Sequence, residues 1–201
     1  MDITPTPANQ NTHNQIMSST SDHMKALVVN AMDEFCQISK PTSFQTDAIV
    51  CLLLMDLNKI DCKPTLLIQP TGSGKSLIPI IFGMITKGIV LIIESTISLS
   101  SDQASKIDNM KQKQGHRVTS FQLDTIQESS HVQKMNEYLL NLQEKIYDAV
   151  FIYSSPEMLV SKRWKKLINP LLTKRLIRFI CIDEIHQFIR FGTTFWPSFQ
   201  D

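Results

Sequence analysis

The stretch Gln69-Pro70-Thr71-Gly72-Ser73-Gly74-Lys75-Ser76 constrains this 201-residue chain more than any other. It follows a short apolar run at 65–68 and precedes a second apolar run, so it reads as a strand, a glycine-rich loop and a helix start. In that context successive backbone N–H groups turn inward on phosphate oxygens, and the helix N-terminus adds its partial positive charge. Thr71, Gly72, Ser73 and Gly74 supply the cradle, Lys75 reaches the β and γ phosphates, and the Ser76 hydroxyl ligates magnesium. The strict pattern asks for one more glycine, where Gln69 and Pro70 stand here. An ordinary strand-to-helix turn draws on the same residue types, but a contiguous Gly-Lys-Ser after an apolar run is much rarer than a generic turn. The motif implies a nucleoside triphosphate with its magnesium.

The length suits one α/β domain and is too short for two with linkers. The hydrophobic fraction of 42% is ordinary for a globular protein, and no apolar run approaches the roughly 18 residues that span a bilayer, so no membrane is expected as a partner. A formal net charge of +1 gives no overall attraction to nucleic acid, and any such case must rest on local patches. Cys36, Cys51, Cys62 and Cys181 are far apart without paired metal-ligand spacing, and three of them sit in apolar segments. That usage reads as a reduced, intracellular protein without structural zinc.

Residues 1–23 are rich in Thr, Asn, Gln, Ser and Pro and read as a disordered tail with no secretory or transit signal. Residues 24–201 form the expected domain. Apolar residues at helical spacing run over 24–35 and 44–57, so two helices precede the phosphate loop. Short apolar runs follow at 89–93, 118–121, 149–153 and 179–182, separated by helix-compatible segments such as 129–145. Strands alternating with helices predict an α/β fold with a parallel sheet. Pro79 falls just after the start of the helix behind the loop. An interior proline costs roughly 3 kcal/mol, which predicts a kink or an irregular start there.

Asp183-Glu184-Ile185-His186 ends the last apolar run. Ligands of parallel sheets gather at the carboxyl ends of strands, so these carboxylates are expected on the same edge as the phosphate loop. Asp183 would hold magnesium and Glu184 would orient and deprotonate an attacking water, whereas the same pair on its own is also a common solvated turn. Gln45 can read an adenine edge with its amide, and Thr42-Ser43-Phe44-Gln45 equally fits a capping box. In Ser154-Ser155-Pro156-Glu157 a helix-capping Ser155 followed by proline is a sufficient structural reason, and contact with a nucleic-acid phosphate is the functional one. Lys162, Arg163, Lys165 and Lys166, followed by Lys174, Arg175 and Arg178, form the concentrated basic region, which is either a solvated face or a phosphate contact.

Together these residues resemble the first motor lobe of a superfamily 2 helicase, and most closely the RecQ family, over residues 41–199. The run from Gln45 to Ile49 resembles the glutamine-bearing motif, and Pro70 to Ser76 the phosphate loop of that family. Ser98-Leu99 with Asp102-Gln103, then Leu123-Asp124-Thr125, then Ser154 to Leu159 resemble successive later elements, and Asp-Glu-Ile-His is similar to the DEAH box. Phe191-Gly192 and Phe195-Trp196-Pro197 resemble the aromatic loop that couples DNA contact to ATP hydrolysis, with Phe191, Thr193 and Trp196 standing where the family usually carries tryptophan, histidine and arginine.

The resemblance implies a RecA-like lobe with helices on both faces of the sheet, binding ATP and Mg2+, and a DNA partner, single-stranded or junction. It implies catalytic roles for Lys75, Asp183, Glu184 and His186 and an adenine contact for Gln45. Nucleic-acid contacts are implied at Ser98, Ser154, Ser155, Phe195 and Trp196, with Lys162 and Arg163 from the basic region. It also implies a nuclear location. The chain ends at Asp201, before the second motor lobe with its arginine fingers, so little hydrolysis is expected of it alone. A non-catalytic nucleotide- or nucleic-acid-binding remnant and an RNA-directed lobe are the alternatives.

Overall fold

The computed structural model describes residues 7–58, 64–94, 107, 118–123, 129–141 and 149–185. They fall into two compact units, residues 1–81 and 82–201.

In the first unit, helices α1 (Pro7–Cys36) and α2 (Ser43–Asn58) pack together. Val28, Ala31 and Met32 of α1 and Ile49, Leu52 and Leu53 of α2 are buried, both sets at the i, i+3, i+4 spacing that lines one helix face. Lys25 and Asp47 form an exposed ion pair at 3.8 Å, a contact of little energetic weight. The structure carries α1 back to Pro7, where the sequence reading expects a disordered tail to residue 23. Proline suits the first helical position, and residues 8–23 contain neither glycine nor a further proline to interrupt the helix.

The strand expected over 65–68 is not formed. Residues 64–70 carry no regular structure, and Leu66 and Ile68 are 65% and 79% exposed. A strand exists through ladder bonds to a neighbour, and this stretch pairs with none among the described residues. Helix α3 (Leu77–Thr86) begins after two turn residues, with Leu77 N–H bonded to Gly74 O and Ile78 N–H to Lys75 O. Pro79 therefore lies within the first turn, where an N–H has no intrahelical acceptor to lose. The irregular start is present, and the penalty of an interior proline is not incurred.

The second unit holds a four-stranded parallel sheet of β1 (Gly88–Ile93), β2 (Val118–Gln122), β3 (Ala149–Ser154) and β4 (Ile177–Ile182), in the order β2-β3-β1-β4. Central strands β1 and β3 are buried at every residue, which is why both read as unbroken apolar runs rather than as alternation. On one face the part of α3 that belongs to this unit, from Phe82 on, sits against the sheet. A Cβ added at Gly83 would lie 2.7 Å from Val90 Cγ2 and 2.9 Å from Phe151, and Phe82 meets Phe179 at 5.0 Å between ring centroids.

The other face is covered by α4 (Ser129–Leu140) and, after the short helix α5 (Pro156–Val160), by α6 (Lys162–Thr173). Met135, Leu139, Trp164, Leu167, Ile168 and Leu171 close over Ile89, Leu91, Ile93, Val150 and Ile152. This is the α/β architecture with helices on both faces that the sequence predicts, consistent with a RecA-like lobe. At the β4 edge Ile180 and Ile182 remain exposed. Among the described residues no helix is long and apolar enough to cross a membrane.

Candidate nucleotide-binding loop and carboxylate edge

Within the first unit, Thr71 to Ser76 form a tight loop in which Gly72 and Gly74 take positive φ angles of 83° and 79°. Only glycine adopts such angles without steric cost, and alternating hand along a loop aims neighbouring N–H groups into a common concavity. The Ser73 hydroxyl is buried within this loop without a hydrogen-bond partner among the described residues. Lys75 turns its ammonium inward, donating to Gln69 O at 2.8 Å and Pro70 O at 3.0 Å. Ser76 lies half-buried immediately before α3. An orphaned hydroxyl, an inward cation and a glycine-shaped concavity fit a phosphate group with its magnesium.

Gln45 forms the capping box that its local sequence fits. Thr42 N–H donates to Gln45 Oε1 at 3.0 Å and Gln45 N–H donates to Thr42 Oγ1 at 3.3 Å, the two reciprocal bonds of a capping box. The same amide turns its Nε2 to Ser73 O and Gly74 O, each at 3.5 Å, so the buried side chain braces the underside of the loop. A Cβ at Gly74 would run into that nitrogen. Gln45 thus holds α2 and the loop in register.

Within the second unit, Asp183 and Glu184 emerge at the carboxyl end of β4, where the sequence reading puts them. Asp183 N–H donates to Ile93 O at 2.9 Å, and Asp183 Oδ1 accepts from Glu184 N–H at 2.8 Å. Glu184 takes a positive φ of 52°, a sparsely populated conformation for a residue with a side chain. Glu94, which the sequence reading passed over, ends the neighbouring strand. Its side chain is buried and its N–H donates to Ser154 O at 2.9 Å. A charged residue closing an apolar strand was the signal that could have found it. Burial, with the negative charges of Asp183 and Glu94, pushes the Cys181 thiol up to about 12, and burial alone pushes Cys36 up to about 11.

Ser154 is buried, and its hydroxyl donates to Ser155 O at 2.9 Å. Ser155 occupies the N-cap position ahead of Pro156, yet its side chain makes no capping bond, so the cap read from the sequence is one of position only. The working cap lies further on. Ser161 Oγ accepts from Trp164 N–H at 3.4 Å and donates to Met158 O at 2.7 Å, which fixes the start of α6. Lys162, Arg163, Lys165 and Lys166 then lie exposed along that helix. Ser98, His186, Phe195 and Trp196 lie outside the described residues.

The DEAD/DEAH box helicase family model matches residues 42–195. The chain is 27% identical over 158 residues to ATP-dependent DNA helicase Q5 of Rattus norvegicus, covering 79% of this chain and 15% of that protein. It is 28% identical over 134 residues to ATP-dependent DNA helicase RecQ of Haemophilus influenzae (67% and 19%) and 26% identical over 157 residues to that of Synechocystis (78% and 28%). The chain therefore spans less than a third of the length of these relatives. With a matched region that takes in the phosphate loop, the parallel sheet and the carboxylates ending β4, the chain belongs to the DEAD/DEAH box helicase family.

Proposed function

We propose that this chain is the ATP-binding motor lobe of a RecQ-like, DNA-directed helicase, which contributes to strand separation when joined to a second lobe. The observation that carries the reading is the loop itself, with its two left-handed glycines, its buried Ser73 hydroxyl without a hydrogen-bond partner among the described residues, and its Lys75 folded back on the loop. The likeness to proteins named as ATP-dependent DNA helicases supports the choice of nucleotide and of DNA.

In this reading the backbone N–H groups of Gly72 and Gly74 bind phosphate oxygens, Ser73 N–H exchanges its bond to Pro70 O at 3.3 Å for another, and Thr71 completes the cradle. Lys75 exchanges its two carbonyl acceptors for the β and γ phosphates. Magnesium, when bound, neutralises charge on the phosphates, and Ser76 and Asp183 are the residues that would hold it. Glu184 orients a water and accepts its proton, with His186 two residues further on in sequence. Gln45 supports the loop from below and faces the base.

Lys75→Ala is expected to weaken binding of magnesium-ATP at least tenfold in calorimetry, a loss of about 1.4 kcal/mol. Unchanged affinity would sink the phosphate-loop reading. Hydrolysis by the isolated chain is expected to be slow and barely DNA-stimulated, and a robust DNA-stimulated rate abolished by Glu184→Gln would contradict the need for a second lobe.

A further inference from the structure

Helix α6 carries its charge against its own dipole. Lys162 and Arg163 open it, Lys165 and Lys166 follow, and the twelve residues include no acid. Cations near a helix N-terminus are unfavourable by about 0.3–1 kcal/mol each, and like charges at i, i+3 and i+4 add about 0.2–0.5 kcal/mol per pair. The opposite face is fully committed to the core through Trp164, Leu167, Ile168 and Leu171, so the helix cannot roll to disperse these charges. Lys162, Lys165 and Lys166 have no ion-pair partner among the described residues.

The charges line a cavity. Lys162, Arg163 and Lys166, spaced i, i+1, i+4, form one wall of an open cleft of about 480 Å³ whose other wall includes Asn136 of α4 and whose floor includes Leu167. The Arg163 guanidinium lies 5.1 Å from the centre of the Trp164 ring. Asn136 Oδ1 is buried without a hydrogen-bond partner among the described residues. The cleft is far roomier than a single inorganic oxyanion needs.

We infer that this cleft between α4 and α6 takes the phosphodiester backbone of a nucleic-acid strand, with Lys162 and Lys166 as its principal phosphate contacts. Charge complementarity selects the occupant. The whole chain has a formal net charge of only +1, so a polyanion is drawn to this face and not to the molecule at large. The inference rests on the DNA-directed reading for the identity of the polyanion.

Fluorescence anisotropy with a labelled single-stranded oligodeoxythymidine, across a potassium chloride series from 50 to 200 mM, tests it. Lys162→Glu/Lys166→Glu is expected to lose at least tenfold in affinity at the lowest salt, and to flatten the slope of log affinity against log salt by about 0.7 per lost contact. Lys25→Glu/Lys40→Glu, which makes the same charge change on exposed lysines of the first unit, is expected to leave the slope unaltered. Acidic residues at the start of α6 suit its dipole, so the first variant should melt no lower than the wild type, and Lys162→Gln/Lys166→Gln repeats the test without charge reversal.

An unaltered slope in both α6 variants overturns the inference and leaves the DNA reading standing. Equal losses in the α6 and control pairs overturn it in favour of a net-charge effect. Displacement of the oligonucleotide by millimolar pyrophosphate overturns it in favour of a free-oxyanion site. A wild-type chain that binds no oligonucleotide at any salt defeats the DNA reading and the cleft together.

Discussion

Gly74→Ala probes the joint between Gln45 and the phosphate loop, because two independent costs meet at one atom. The backbone at Gly74 has a φ of 79°, where an L-residue pays about 1–2 kcal/mol. Gly72→Ala pays the same strain at a φ of 83° and meets nothing within 4 Å, so it serves as the internal reference. At Gly74 the new methyl also occupies the place of Gln45 Nε2. The amide must swing away, and its Oε1 is the group that holds Thr42 N–H at 3.0 Å. Loss of that one reciprocal bond, with the N-cap bond from Gln45 N–H to Thr42 Oγ1 kept, costs about 0.5–1.5 kcal/mol. Gly74→Ala should therefore be the more destabilising of the two by about 1 kcal/mol, the middle of that range. Urea denaturation followed by circular dichroism gives the global value, provided the slope is unchanged between variants. Hydrogen exchange at the Thr42 amide gives the local one, and should accelerate in Gly74→Ala but not in Gly72→Ala. In Gln45→Ala/Gly74→Ala the extra cost should vanish, leaving the strain alone added to Gln45→Ala. Equal destabilisation by Gly72→Ala and Gly74→Ala, with Thr42 exchange unchanged in both, would refute the proposed link from loop to helix cap.

Trp164→Ala should cost about 3–5 kcal/mol in denaturant melts, since the indole is 1% exposed within the core that joins α6 to the sheet. Alkylation at pH 8 followed by peptide mapping should modify exposed Cys51 before Cys36, and Cys36 before Cys181, because thiols raised to about 11 and about 12 keep little thiolate. The Cys181 rate should climb about tenfold per pH unit, as the thiolate fraction of a group far above the ambient pH does. The raised thiol also ties stability to pH: its contribution is whole below pH 9.0, the ordinary thiol value, and is lost as pH rises towards 12, because the unfolded chain sheds that proton first. Stability that grows between pH 9 and 11 would contradict the burial of Cys181.

Legibility in the sequence followed the range of the interactions involved. All four strands of the sheet could be read because β1 and β3 are covered on both faces and therefore apolar throughout, and β2 and β4 retain enough of that character. The run at 65–68 is as apolar as they are, but a ladder needs a partner that composition does not name. For Gln45 the sequence offered a capping box or an adenine contact; the box is formed, and the bond of its Nε2 to the loop carbonyls was not legible because it spans residues far apart in sequence. Ser155 misled for the complementary reason: Ser-Pro marks where a helix starts, not whether the hydroxyl turns back to cap it. The cap that does form, at Ser161, depends on Met158 O, supplied by the preceding helix. Asn136 lines the basic cleft only because α4 packs beside α6, a tertiary pairing with no local signature.

The exposed side of β4 bears on how the chain behaves in concentrated solution. As the last strand of the sheet it pairs with β1 along one side only among the described residues, and its outward residues Ile180 and Ile182 are 47% and 38% exposed. Edges of this kind are usually blunted by charge, proline or a bulge; β4 carries one charge, Arg178, and its ladder with β1 shifts register between Ile89 and Val90. A neighbouring molecule in an extended conformation meets there a strand side with no ladder partner among the described residues and an apolar surface to lie against. Loss of material on concentration should therefore follow second-order kinetics, and Ile180→Lys should widen the usable concentration range without lowering the melting temperature.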